Sequence, residues 1–169
     1  LKLAKTTLEK EHVLHEMAAR DLLRGALLDG VDMQGIDLEK QSFERSKLDY
    51  ANLEQAKLNG VNFQGASLHG AKLVKAEISN SDFREAHLTA ADFSGANLSG
   101  ADLRFAIVGS RPGMQGTNFE GAILLGANLA GIYGLGVANK FDENTILPDG
   151  TNWTPITDLN KFTYEGALM

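Results

Sequence analysis

Cysteine is absent from the chain, which excludes a disulfide framework, a thiol nucleophile and a thiolate metal site. The same absence leaves the compartment open, because a thiol-free protein suits oxidising and reducing surroundings alike. Proline is scarce at 3 residues and tryptophan occurs once, whereas glycine reaches 18. No apolar run approaches the roughly 18 residues of a membrane span. The first twenty residues mix acids into their apolar pattern, unlike a secretory signal. A soluble, cytoplasmic protein is the expectation, and the start at Leu1 leaves room for an upstream segment or a larger protein.

Basic charge is also in short supply. The formal charge is −6 and the pI about 5.2, which argues against direct binding of nucleic acid or of an anionic membrane surface, since both need a basic face. At 169 residues the chain fits one domain.

What is present is a repeat. Every fifth residue is large and apolar, as in Leu28, Met33, Leu38, Phe43, Leu48, Leu53, Leu58 and Phe63, and on to Leu103. Two positions before each lies a second register that is almost purely small: Ala51, Ala56, Val61, Ala66, Ala71, Ala76, Ser81 and Ala86. The other three positions are polar or glycine. A period of five fits neither the 3.6 of a helix face nor the alternation of a strand, so the chain must turn at every repeat. If the large and small residues both point inward, each pentapeptide forms one short side and one corner of a coil, and coils stack by backbone pairing at roughly 4.8 Å.

Ala51-Asn52-Leu53, Ala91-Asp92-Phe93, Ala96-Asn97-Leu98, Ala101-Asp102-Leu103 and Ala127-Asn128-Leu129 resemble the motif of the pentapeptide-repeat family. That resemblance implies an all-β fold, a right-handed quadrilateral parallel β-helix with four pentapeptides per coil. Residues twenty apart would then stack, and Phe43, Phe63 and Phe83, continued by Leu103, would form one interior column of core side chains.

After Val108 the phase slips by one residue, because the next large apolar residues are Met114, Phe119, Leu124 and Leu129. One inserted residue near Ser110-Arg111 is expected, with Arg111-Pro112-Gly113 as a turn that is either a corner bulge or a binding loop. The predicted division is an N-terminal helical cap at 1–24, a solenoid at 25–131 and a C-terminal extension at 132–169. Helical spacing from Glu9 to Leu23, carried by Leu8, His12, His15, Ala19 and Leu22 with Leu14 and Ala18 nearby, suggests the cap. Pro148-Asp149-Gly150 marks a tight turn in the extension.

Outward positions near the last repeats become apolar at Phe105, Ile107, Ile123 and Leu125. Stacking at twenty puts Phe105 and Leu125 together with Ile123 beside them. Such a patch is either covered by Phe141, Ile146, Trp153 or Phe162 of the extension, or is a protein-binding or dimer surface. A second candidate surface, on another face, is Tyr50 with His69 and His87. Asp49 is expected a further coil away, so these histidines gain no converging carboxylate and no metal site is assigned. His12 and His15 with Glu11 and Glu16 make no site either.

No nucleophile, base and orienting group can be named together, so no catalytic residues and no cofactor are assigned. Asp82, Asp92 and Asp102 recur at the polar repeat position, where solvent or backbone partners account for them. The leading reading is a non-enzymatic interaction or scaffold module with an unknown protein partner, its oligomeric state open; a structural spacer within a larger protein is an alternative. The family resemblance implies another, a duplex mimic that binds a type II topoisomerase. Duplex DNA would show about fifteen charges over a rod of roughly 26 Å. Between Leu28 and Gly131 the thirteen acids and nine bases leave a net of only −4, and Lys57, Lys72, Lys75, Arg84 and Arg104 interrupt any acidic stripe.

Overall fold

The computed structural model describes residues 7–109, 116–124, 127, 129, 132, 135 and 139–163, with side chains from His12 onward. Met114, Leu125 and the Arg111-Pro112-Gly113 turn lie outside the described residues.

Single residues pair in parallel across neighbouring turns of the chain, and the partners are twenty apart: Asp32 with Asn52, Asn52 with Lys72, Lys72 with Asp92. Four pentapeptides therefore fill one coil. Each side is so short that only its central polar residue bridges, while the following apolar residue donates upward, as Leu53 N–H does to Lys72 C=O at 2.7 Å and Leu73 N–H to Asp92 C=O at 2.7 Å. The first side has the interior column Leu23, Phe43, Phe63, Phe83 and Leu103; the second has Leu28, Leu48, Leu68, Leu88 and Val108. Met33, Leu53, Leu73, Phe93 and Phe119 line the third, and Leu38, Leu58, Ile78, Leu98 and Leu124 the fourth.

Corners form because the small residue donates its N–H back to the preceding apolar residue, as Ala51 N–H does to Leu48 C=O at 3.0 Å, and the residue before it takes a left-handed backbone. Glycine fits that position without cost at Gly60, Gly65 and Gly70, but Tyr50 (φ 60°) and Phe105 (φ 61°) occupy it too. The polar residue of each side stabilises its corner: Asn62 Oδ1 accepts the Gln64 N–H at 2.8 Å and Asp82 Oδ1 that of Arg84 at 3.0 Å. Backbone partners thus explain the recurrence of Asp and Asn at this position.

Among the described residues the interior is apolar except for four hydroxyls, and each donates to a carbonyl: Ser46 to Phe43 at 2.7 Å, Ser81 to Leu58 at 2.8 Å, Thr145 to Phe119 at 2.9 Å, with Thr117 between Leu88 and Val108. No buried polar side-chain atom is left without a partner among the described residues, as a satisfied core requires.

The expected aromatic column is present. Phe43 stacks on Phe63 at 5.5 Å and Phe63 on Phe83 at 4.9 Å. A second column on the opposite, third side was not foreseen: Phe93 stacks on Phe119 at 5.7 Å, Phe119 on Phe141 at 5.4 Å and Phe141 on Trp153 at 6.0 Å.

That second column corrects the phase slip. Asp92 pairs with Asn118 and Asn97 with Ile123, separations of twenty-six rather than twenty-one. One whole extra pentapeptide plus one residue enters this coil, which leaves the same phase at period five but sets every later residue one side back from where a one-residue slip would place it. Thr117 N–H closes the excursion by bonding Val108 C=O at 3.0 Å.

At the N-terminus, helix α1 spans Thr7–Ala19. It ends in a Schellman arrangement, Leu22 N–H to Met17 C=O at 2.8 Å and Asp21 N–H to Ala18 C=O at 3.0 Å, with Asp21 left-handed at φ 54°. The helix is shorter than the predicted 9–23 stretch and turns a different face inward. Leu14 is fully buried, with Met17 and Ala18 packed on the core, whereas His12, His15, Ala19 and Leu22 are exposed. Larger apolar contact at Leu14 and Met17 outweighs the spacing of the histidine face.

At the C-terminus the ladder runs on, Asn118 pairing with Lys140 and Ile123 with Ile146. The chain then reverses at Pro148-Asp149-Gly150, Leu147 N–H bonding Thr151 C=O at 2.8 Å, and Ile146 pairs antiparallel with Asn152. This hairpin covers the last described coil with Trp153 rather than folding back onto Phe105. A short 3-10 helix, Leu159–Phe162, follows and is tied down by a Lys161–Asp149 ion pair at 2.8 Å.

Candidate functional site

The second side collects five of the seven residues singled out in the sequence. His87 pairs with Ile107 one coil above and with Ser67 one coil below. His69 stands two residues beyond Ser67 on the same side. Phe105 occupies the corner that opens this side and Tyr50 the corner that closes it, the former 51% and the latter 64% exposed. The two surfaces predicted as separate are therefore one.

Ile123 does not belong to it. It pairs with Asn97 and Ile146 on the fourth side, opposite Ile107. The predicted patch of Phe105, Ile107, Ile123 and Leu125 rested on a twenty-residue step across the slip, and the twenty-six-residue coil separates its members. Leu125 lies outside the described residues.

Asp49 stands a further coil along from the His69 and His87 pair, as the register implies. It sits one coil from His69, and its Oδ1 accepts the His69 N–H at 3.0 Å and the Ser67 hydroxyl at 2.5 Å. The carboxylate serves backbone and hydroxyl, so it is engaged without touching either imidazole. Among the described residues no group of His, Asp and Glu is arranged to hold a metal ion, and no helix is long and apolar enough to cross a membrane.

The Tyr50 ring leans across the corner above it. Its Cδ1–Cε1 edge fills the space a side chain at Gly70 would need, since a Cβ there would lie 2.6 Å from Cε1. His69 meets the ring edge-on, centroids 5.3 Å apart at 87°. Beyond them lies a recess of about 500 Å³ lined also by Lys72, Thr89, Ala90 and Asp92. The twenty-residue register could have disclosed this cluster from sequence.

The first side differs in character. Arg84 grips Asp82 (2.6 Å) and reaches Asp102 (3.8 Å), while Arg104 grips Asp102 (2.6 Å). Burial by itself would raise the Asp102 carboxyl, but the hydrogen bonds and charge of Arg104, aided by Arg84, hold it below the usual carboxylate range. Its acids are thereby neutralised in place.

Comparison with known proteins agrees with this architecture. The family described as Pentapeptide repeats matches in eight copies over residues 42–73 and 66–104. No curated protein matches. A pentapeptide repeat protein from the Arabidopsis thaliana thylakoid lumen is 35% identical over 66% of this chain and 70% of its own, with a TM-score of 0.49. The Rfr23 protein of the cyanobacterium Cyanothece 51142 is 24% identical over 80% of this chain and 97% of its own, TM-score 0.40. The plasmid-mediated fluoroquinolone resistance protein QnrB1 is 21% identical over 77% of this chain and 76% of its own, TM-score 0.31. On the in-phase repeats and the thylakoid relative's identity and coverage, the chain belongs to the pentapeptide-repeat family of β-helical solenoids.

Proposed function

We propose that this chain is a non-enzymatic protein-interaction module that recognises its partner through the second side of the coil. The observation that carries the reading is that Phe105, Ile107, His87, His69 and Tyr50 share that side and its two corners. From Ser67 to Gly109 the outward positions between those corners hold no Asp or Glu. Interfaces are depleted of charge at their centre and enriched in aromatic residues, which give large contact area at little cost in side-chain entropy.

The same reading takes residues 25–131 as a right-handed quadrilateral β-helix, 1–24 as its N-terminal cap and 132–169 as its closing extension. It is non-enzymatic because the recurring acids are already engaged: Asp82 and Asp102 by arginines, Asp92 by Ser94 and Asp49 by Ser67 and the His69 N–H. The arginines also disfavour a duplex mimic, which needs a continuous acidic stripe.

A photo-crosslinking residue placed at His87, and in a second protein at Lys57 on the opposite side, tests the proposal in extract of the source cells. A discrete crosslinked protein from position 87 and none from 57, lost when Phe105→Ser is added to the folded chain, is the expected result. Equal crosslinking from both positions, or none from either, overturns it, and the latter favours a spacer.

A further inference from the structure

The recess beside Tyr50 lies where the second side turns into the third, and beyond the Tyr50 and His69 rings it adds the polar groups of Lys72, Thr89 and Asp92. We infer that it is a binding subsite for a neutral sugar, with the pyranose ring packed against Tyr50. This inference does not need the partner-binding reading.

Four observations converge on it. Tyr50 is exposed yet held: its edge rests over Gly70, which alone leaves room for it, and His69 braces it at 87°. A fixed aromatic ring offers apolar contact at little entropic cost. The volume of about 500 Å³ falls in the range of small-ligand sites. Among the described residues the Lys72 ammonium and the Thr89 and Tyr50 hydroxyls have no partner within the chain, although all three line the same recess. Asp92 commits Oδ1 to Ser94, at 2.9 Å from its N–H and also to its hydroxyl, and keeps Oδ2 for an incoming donor.

Charge selects the ligand class. Lys72 and Asp92 neighbour each other in adjacent coils and cancel, so the recess has no net attraction for a phosphate or a polycation. Unpaired donors and acceptors together with an aromatic platform suit a molecule that has hydroxyls along its rim and C–H groups on its face.

Titration of the full chain with cellobiose, maltose and lactose, read by NMR at the Tyr50 and His69 rings, tests the inference. Saturable shifts confined to Tyr50, His69 and Thr89, with a Kd of about 1 mM for at least one sugar, are expected. Tyr50→Ala should weaken that binding about tenfold or more, and Lys72→Met by a smaller factor. Leu68 and Leu88 methyl signals report whether each variant keeps its fold. No shift with any of the three at about tenfold that concentration overturns the inference. Adenosine moving the same signals while the sugars do not also overturns it, in favour of a base-stacking site.

Discussion

Phe83 and Phe93 meet edge to face across the inside of the coil, their centroids 5.9 Å apart and their planes at 85°. Phe83 ends the stack on the first side and Phe93 begins the stack on the third, so seven rings from Phe43 to Trp153 form one connected series. The crossing occurs in the coils just before the enlarged one. Truncating either ring removes stacking on one side and the edge contact on the other. Phe93→Ala is expected to cost about 3–5 kcal/mol in chemical denaturation, against about 0.5 kcal/mol or less for exposed Glu85→Ala.

Gly70 and Gly30 share a corner column and a left-handed backbone, φ 63° and 65°, but only Gly70 lies against a ring. Gly30→Ala should lose about 1 kcal/mol, the conformational cost alone. Gly70→Ala must lose more and must also displace Tyr50. Comparison of thermal melts shows the first effect, and loss of ring-current shifts between Tyr50 and His69 shows the second.

Ser81 stands in a register of alanines, fully inside, with its hydroxyl on the Leu58 carbonyl at 2.8 Å. Ser81→Ala removes a bond whose acceptor still receives the Val61 N–H at 3.1 Å. The expected loss is therefore modest, about 1 kcal/mol. Ser81→Val also loses the bond and adds bulk inside a filled coil, so it should be worse than alanine in the same denaturation series.

Acid should loosen the C-terminal hairpin before the coils. Asp142 is held at about 2 by the Asn144 side chain and the Gly121 N–H, and Asp149 at about 2 by Lys161 and Thr151. Both carboxyls are depressed on folding, so their stabilising contribution is complete above the unfolded value of about 4 and is lost as pH falls through about 2. The sole tryptophan, Trp153, reports on this region. Its emission should shift between about pH 4 and pH 2, and Asp142→Ala should produce part of that shift already at neutral pH. An unchanged emission down to about pH 2 would contradict the assignment.

Much of the coil was legible in the sequence because one rule, a large residue every fifth position with a small one two before it, applies locally from Leu28 to Leu103 with Ile36 and Gln41 as its departures in the small register. Phe43, Phe63 and Phe83 could be stacked on paper for that reason. Helix α1 was legible as a helix but not in its orientation, since His12, His15 and Leu14 all recur at helical spacing and only contact with the first coil selects Leu14. The candidate surface was half legible: Tyr50, His69 and His87 could be grouped, but Ile107 was assigned to another face and Ile123 to the wrong neighbours.

Local side-chain size thus determined by itself that this chain must turn every five residues and bury one large and one small side chain each time, because that pattern depends only on residues close in sequence. Which side a residue occupies beyond Val108 was decided by the tertiary structure alone. A periodic sequence records its phase modulo five, and an insertion of one residue and an insertion of six leave the same phase. Only pairing between coils, Asp92 with Asn118 and Asn97 with Ile123, distinguishes them, and with that choice Ile123 moves to the side opposite Ile107.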